Sequence, residues 1–281
     1  MKPLTRRAQA LLGTIVEIGL RGGKAAIFET AFAQVAQVQA RMSAHSAESD
    51  LAAIARLAHH RAIAVDATTA EVIRHSLEWA EASEGAFDPV RAGVALVHGG
   101  RRPWFCDELP DRVATWRDLS INGLLVRATR PLALDLGGVA KGYAVDLAAQ
   151  TIAEHGCSGV VNAGGDLRFI GEEARTAFVR SPDSRSGLFE ILQIPRPALA
   201  TTGSYEFSEG GGNLDLIDSR SQQVLAAGIS ITVFSESCMQ ADAMTKVLLN
   251  LPETHACALL RQYGCSALIL KSGGRFLELP R

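Results

Sequence analysis

Asp135-Leu136-Gly137-Gly138-Val139-Ala140-Lys141-Gly142-Tyr143 places an aspartate, a lysine and three glycines within nine positions. The segment lies between an expected strand and an expected helix. Glycines there let the backbone turn tightly and let a ligand approach it closely. The free N–H groups of a helix start can receive a phosphate, helped by the helix dipole, and Lys141 adds positive charge. A purely structural turn, with Asp135 capping and Lys141 solvated, fits the same residues. The spacing is neither G-x-G-x-x-G nor the Walker pattern, so neither a nicotinamide Rossmann site nor a P-loop is supported. A second glycine turn, Asn162-Ala163-Gly164-Gly165-Asp166, follows a strand signal. Asn162 or Asp166 could bond a ligand there, or bond the turn itself.

Other reactive residue types form no pattern. His59-His60, His75, His98, His155 and His255 show no readable constellation, so surface or satisfied packing is their expected role. Cys106, Cys157, Cys238, Cys257 and Cys265 are scattered, odd in number and without a C-x-x-C pair. They are expected to be free thiols acting as small apolar residues in a reducing compartment.

The elements that must position these residues belong to a chain of 281 residues, 47% hydrophobic and 21% charged, which excludes a mostly disordered protein. That length gives one large domain or two small ones. Lys and Arg total 28 against 30 Asp and Glu, a formal net charge of -2. The balance argues against a dedicated nucleic-acid binder. Lys2, Arg6 and Arg7 resemble a charged leader, but Leu11-Leu12-Gly13 and then Glu17 break the apolar run too early for secretion or anchoring. No stretch is long and apolar enough to span a bilayer, so an integral membrane segment is not expected and a cytoplasmic location is.

Periodicity gives the element order. A strand is expected over 13–20, then a helix whose face carries Ile27, Phe28, Ala31, Phe32, Val35, Val38 and Met42. Ser49 reads as the cap of a short helix with Leu51, Ile54 and Leu57. A brief strand at 62–65 and a helix over 67–83 ending before Gly85 come next. Residues 93–119 give a weak, loop-like signal. The stretches 124–128 and 132–136 read as two adjacent strands, and 140–154 as a helix. Strands follow at 158–161, 166–170, 176–180, 189–194, 199–202 and 227–234. Helices over 239–249 and 255–263 then precede a hairpin, 267–270 with 275–279. This order lacks the alternation of a doubly wound sheet and points to an α+β fold with mixed, largely antiparallel sheets.

The segment from Asp135 to Asp146, DLGGVAKGYAVD, closely resembles the signature of the flavin transferase family, the ApbE-like FAD:protein FMN transferases. Further matches follow in family order along nearly the whole chain. Leu12-Gly13-Thr14 stands at the place of M-G-T, residues 43–51 at a serine-rich segment, and Gly85-Ala86-Phe87-Asp88-Pro89 at G-A-F-D-P. Residues 161–171 match the V-N-x-G-G-D turn, Thr201-Thr202-Gly203-Ser204-Tyr205 resembles A-T-S-G-x-Y, and Ala241-Asp242-Ala243-Met244 aligns with the start of A-D-A-L-S-T.

The resemblance implies one domain over residues 1–281, built as two related subdomains around an FAD cleft. Leu12, Gly13 and Thr14, His45, and Ala86, Phe87 and Asp88 would line the flavin. Gly137, Gly138, Tyr143, Gly165 and Thr202 complete the cofactor-binding set it implies. Magnesium would be held by the backbone oxygen of Ala140 and by Asp242. The implied reaction moves FMN from FAD to a Thr or Ser hydroxyl of an acceptor flavoprotein or FMN-binding domain, and AMP leaves. It requires neutralising the diphosphate, activating a weak nucleophile and holding the two oxygens in line. Asp242, Lys141 and Asp218 are the catalytic candidates.

Two departures bear on that reaction. Lys246 occupies the final threonine position of A-D-A-L-S-T. Residues 242 and 246 share a helix face, so aspartate and threonine there converge on one cation, whereas a protonated lysine has no lone pair for it. An Asp242–Lys246 pair is expected instead, with Thr245 as a substitute ligand at a poor angle. Around Asp218, the family's H-I-x-D-P-x-T-G becomes Asp215-Leu216-Ile217-Asp218-Ser219-Arg220-Ser221-Gln222. The alternative to a transferase is therefore a catalytically impaired FAD- or nucleotide-binding homologue with a regulatory or carrier role.

Overall fold

The computed structural model describes residues 4–22, 24–171, 176–182, 187–192, 194–204, 228–273 and 275–280. The chain begins with the hairpin β1 (Leu4–Leu11) and β2 (Thr14–Arg21), followed by helix α1 (Ala25–Met42). Next come α2 (Asp50–Leu57), β3 (Ile63–Ala64), α3 (Ala67–Ala82), α4 (Pro89–His98), β4 (Leu119–Asn122) and β5 (Leu125–Ala128). The middle of the chain runs α5 (Ala140–Glu154), β6 (Ser158–Ala163), β7 (Asp166–Ile170), β8 (Thr176–Arg180) and β9 (Leu188–Leu192). It ends with β10 (Ala198–Ser204), β11 (Ile229–Ser235), α6 (Cys238–Asn250), α7 (Glu253–Gln262), β12 (Ser266–Lys271) and β13 (Arg275–Leu279). This is the expected α+β class, and every described strand pair is antiparallel.

Two compact units divide the chain. The first holds β1, β2, the start of α1, α5 from Lys141 onward, and the elements through β13. Its eight-stranded sheet has the order β1-β2-β6-β7-β10-β11-β12-β13. In β2, Val16, Ile18 and Leu20 are wholly buried, the period of two that a half-covered strand requires. Helix α6 packs on β10 and β11. A cluster of Ala177, Ile194, Leu199 and Phe234, with Leu167, Phe169 and Leu268 against it, forms part of the core. Strand β1 is the sheet edge and almost wholly exposed, so its Arg6, Arg7 and Gln9 carry no burial pattern. That is why sequence reading saw only β2. Charged side chains such as Arg6, paired with Glu17 at 2.7 Å, also discourage a further strand from adding there.

The second unit holds the rest of α1 and the elements from α2 to β5. As expected, Ser49 caps α2, its hydroxyl accepting the Ala52 N–H. Asp66 caps α3 in the same manner. Two expectations are corrected here. The weak stretch 93–119 contains most of α4, whose N-terminus is set by Asp88 as cap and Pro89 in the first turn. Residues 132–136 pair with no strand among those described. The partner of β5 is β4 on the other side, together with β3. Leu132, Ala133, Leu134 and Leu136 are buried all the same, and Asp135 N–H donates to Pro89 C=O at 2.8 Å. Helix α4 covers this run. An apolar run reads the same from sequence whether a sheet or a helix buries it.

Gly93 of α4 permits that contact. A Cβ there would meet the backbone carbonyl of Ala133 and lie 2.8 Å from the Leu134 carbonyl carbon. Backbone on both sides cannot yield as a side-chain tip does. Gly93→Ala is expected to lower stability by about 1–3 kcal/mol, or more if α4 cannot shift. A leftward move of the urea midpoint at unchanged m-value is the measurement.

Candidate functional site

The site begins where α5 meets α6 in the first unit. Gly142, in the first turn of α5, lies against the Cys238 carbonyl and 2.7 Å, by the position of an added Cβ, from the Met239 Cα. Any side chain at 142 would hold the helices apart. One turn further along α5, the Asp146 carboxylate accepts the Cys238 and Met239 N–H groups and the Ser237 hydroxyl, each at 2.9 Å. Ser237 Oγ in turn accepts Gln240 N–H at 3.2 Å, and the Ser237 carbonyl accepts Ala241 N–H. The Cys238, Met239 and Gln240 N–H groups, which have no intrahelical acceptor, are thus satisfied, and a carboxylate faces the positive end of the helix dipole. Arg168 of β7 reaches Asp146 at 2.6 Å and the Glu236 carbonyl at 2.8 Å, tying the junction to the sheet.

Asp242 sits one turn into α6 with no solvent exposure. Its Oδ1 is ion-paired with Lys246, one helical turn along, and its Oδ2 lies 3.4 Å from both Lys141 Nζ and Gly142 N. Lys141 is also paired with Asp166, which is 1% exposed and opens β7 directly after the Gly164-Gly165 turn. Lys246 Nζ donates to Thr202 Oγ1 at 2.8 Å. Thr245 Oγ1 donates to the Asp242 carbonyl and lies 2.7 Å from Thr202 Oγ1. Its single proton being used, Thr245 accepts from Thr202. One directed chain therefore runs Lys246, Thr202, Thr245, Asp242 carbonyl.

The cluster holds two carboxylates and two ammonium groups. Burial opposes the charge on Asp242, but the Lys141 and Lys246 ammonium groups beside it hold its carboxyl below the usual carboxylate range. For Asp166 burial wins, reinforced by the Asp242 charge and only partly offset by the lysines, and its pKa is pushed up to about 6. Burial works against Lys141 as an ammonium, yet Asp166 and Asp242 together raise its pKa well above the usual lysine value. Cys238 lies beside them as a thiol, raised far above its ordinary pKa by burial and by the neighbouring carboxylates.

Two turns of the first unit lie at the same end of the sheet as Asp166. Thr14 packs its side chain on the Gly164 backbone, and Thr201 N–H donates to the Gly165 carbonyl at 3.2 Å. In the two-residue turn between β1 and β2, Leu12 takes φ +56° and Gly13 φ +70°. The left-handed region is uncommon for a leucine, so backbone strain is concentrated at this position.

Of the sequence-selected residues, Lys141, Asp242, Thr202 and Thr245 come together in one hydrogen-bonded group. Leu12, Gly13 and Gly165 lie on turns of the same unit, Thr14 opens β2 beside them, and Tyr143 is buried in α5 beside Gly142. His45, Ala86, Phe87, Asp88, Gly137, Gly138 and Ala140 belong to the second unit. There His45 is exposed, and Ala86 and Phe87 are buried. Both Asp88 oxygens serve structure: Oδ1 accepts Val90 and Arg91 N–H, and Oδ2 accepts Trp116 N–H at 3.3 Å. Asp218 and the altered 215–222 segment fall outside the described residues. All five cysteines are free thiols. Sequence reading gave no role to Asp146 and only an open one to Asp166. The available signal was an aspartate immediately after a glycine pair and another one turn past Gly142.

The residues expected to hold magnesium do not fit the ion. Mg²⁺ needs a near-octahedral set of oxygen donors at about 2.0–2.1 Å. Both Asp242 oxygens face ammonium groups, and the Thr245 hydroxyl is engaged on each side within the protein. Ammonium groups occupy the directions a cation would use. Among the described residues, no three His, Cys, Asp or Glu side chains gather as a metal-binding group.

An eight-stranded antiparallel sheet, with a buried lysine–aspartate cluster where α5 meets α6, defines the α+β architecture of this chain. Residues 12–269 match the ApbE family, and the chain belongs to it. It is 28% identical over 236 residues to an FAD:protein FMN transferase of Rhodobacter capsulatus, covering 76% of this chain and 44% of that one. The chain thus spans less than half the length of that relative. A Vibrio cholerae FAD:protein FMN transferase is 26% identical, over 86% of this chain and 78% of the relative. Two solved structures share the fold. The Vibrio cholerae flavin transferase ApbE has a TM-score of 0.81 at 23% identity, covering 98% of this chain and 97% of that one. The Thermotoga maritima ApbE protein has a TM-score of 0.80 at 23% identity, covering 98% and 96%. Among the described residues, no helix is long and apolar enough to cross a membrane.

Replacing Asp146 with alanine leaves the α6 N-terminus without its anion and Arg168 without its carboxylate, with only the Glu236 carbonyl left to it. We expect a loss of about 2–3 kcal/mol in chemical denaturation. The raised pKa of Asp166 has a definite sign. The folded protein holds that proton more tightly than the unfolded chain, so this group's contribution to stability falls as pH rises from about 4 to about 6. Asp166→Asn should remove that slope from a pH series of denaturation midpoints, and carboxylate NMR should show Asp166 titrating above Asp242.

Proposed function

We propose that the protein transfers FMN from FAD to a threonine or serine hydroxyl of an acceptor flavoprotein, with release of AMP. The observation that carries this reading is the pair of ammonium groups, Lys141 and Lys246, held over two buried carboxylates at the junction of α5 and α6. Each lysine keeps partial exposure, 26% and 22%, while the carboxylates beneath have almost none. Positive charge fixed in this way suits a diphosphate, and preorganised charge is most effective where negative charge grows in the transition state. In the proposed step the acceptor oxygen bonds to the phosphorus bearing FMN, the bond from that phosphorus to the bridging oxygen breaks so that this oxygen leaves with AMP, and the hydroxyl proton is released to solvent water. Lys141 and Lys246 counter the charge left on AMP. Asp242 acts by fixing both lysines, and Thr202 by orienting Lys246. Leu12, Gly13 and Thr14 keep the flavin-lining role that the family resemblance implies, and Asp218 its catalytic one.

A second reading, an FAD-binding homologue without transfer, is favoured by one observation. Asp242 has no oxygen left for a metal or a proton. Intact-mass analysis of a threonine-containing acceptor domain incubated with FAD and this protein separates the two. An FMN adduct with stoichiometric AMP supports transfer; FAD binding with an unmodified acceptor supports the binding protein. In either case Lys141→Ala should weaken FAD binding by about tenfold or more, read by fluorescence titration.

A further inference from the structure

We infer that Lys246 replaces a divalent cation in this protein, so that the diphosphate of a flavin or adenine nucleotide binds here without metal. The inference rests on the flavin-nucleotide reading for the identity of the ligand, but not for the claim about the cation. Lys246 projects from α6 on the same face as Asp242 and bridges its Oδ1 to Thr202 Oγ1, the latter at 2.8 Å. Lys141 takes the other oxygen of Asp242 from α5 and bridges it to Asp166. Each ammonium has three N–H donors and spends two within the cluster. Among the described residues the third donor of each meets no further acceptor, and it is assigned to an incoming phosphate oxygen.

A divalent ion has no comparable entry. It would have to displace an ammonium from a carboxylate with no solvent exposure, and the displaced lysine would remain as a like charge on the same helix turn. Nor can the threonine pair compensate. Thr245 already gives its proton to the Asp242 carbonyl and accepts from Thr202, while Thr202 accepts from Lys246. Recruiting either hydroxyl to a metal breaks the chain that holds Lys246 in place. The site is therefore closed to hard cations and open to hard anions.

The test uses the whole protein, extensively treated with EDTA, and two variants, Lys246→Thr and Lys246→Met, each checked for native circular dichroism. FAD and ADP are titrated calorimetrically in EDTA and in Mg²⁺, and Mn²⁺ binding is followed separately by electron paramagnetic resonance. For the parent protein the expected affinities agree within about twofold in the two buffers, with no Mn²⁺ held at the cluster. Lys246→Met should lose about tenfold or more in EDTA, the cost of one charged hydrogen bond, and Mg²⁺ should not restore it fully. Lys246→Thr should gain a Mn²⁺ site that Asp242→Asn removes, and its nucleotide affinity should become Mg²⁺-dependent. A parent protein that binds Mn²⁺ through Asp242, or whose affinity falls about tenfold in EDTA, overturns the inference. Failure of FAD and ADP to bind in either buffer would instead sink the flavin reading, and the Mn²⁺ measurement would still decide the question of the cation.

Discussion

A carboxylate removed from water keeps its charge only where cations and N–H donors replace the lost solvation. Asp242 is in that position, wholly buried in the first turns of α6. It is held by Lys246 from its own helix, Lys141 from α5 and the Gly142 N–H. Much of the first unit's local architecture follows from this requirement. Lys246 comes from α6 itself and Lys141 from α5, so helices α5 and α6 touch beside this carboxylate, and the touching point has no room for a side chain.

Gly142 and Asp146 meet that demand in different ways. The glycine removes bulk where the α6 backbone passes, and the aspartate closes the N–H groups that the same backbone exposes. A helix N-terminus buried without partners would cost more than the packing returns. Arg168 then ties Asp146 to β7, the strand that begins with Asp166. The structural carboxylate and the buried pair at Lys141 are thus coupled through one strand. Loss of the first should disturb the second, although the two clusters share no hydrogen bond.

Lysine and a divalent ion are not equivalent partners for a carboxylate. An ion gathers several oxygens into one polyhedron and carries two charges at its centre; an ammonium distributes three directed donors and carries one. With Lys141 and Lys246 both present, the two ammonium charges balance the two carboxylates and remain tied to them by directed bonds. The hydroxyls of Thr202 and Thr245 become parts of a hydrogen-bond chain instead of metal ligands. The same residues surrounding a different cation produce a different site chemistry on an unchanged fold.

The sequence by itself determined the α+β class, the order of most elements to within two residues, and the glycine turn at α5. It did so because amphipathic periodicity, glycine and cap residues act locally. It also gave the Asp242–Lys246 pairing, since residues four apart on a helix must be neighbours. What failed was non-local. Strand β1 has no buried face to register in its residues, and the apolar run at 132–136 is covered by α4 instead of a strand. Only the tertiary structure decided that Lys141 and Asp166 join Asp242, and that Asp146 caps a helix 92 residues away. Such partners are chosen by where chain segments pack, and a carboxylate carries no mark of which distant backbone or ammonium will compensate its burial.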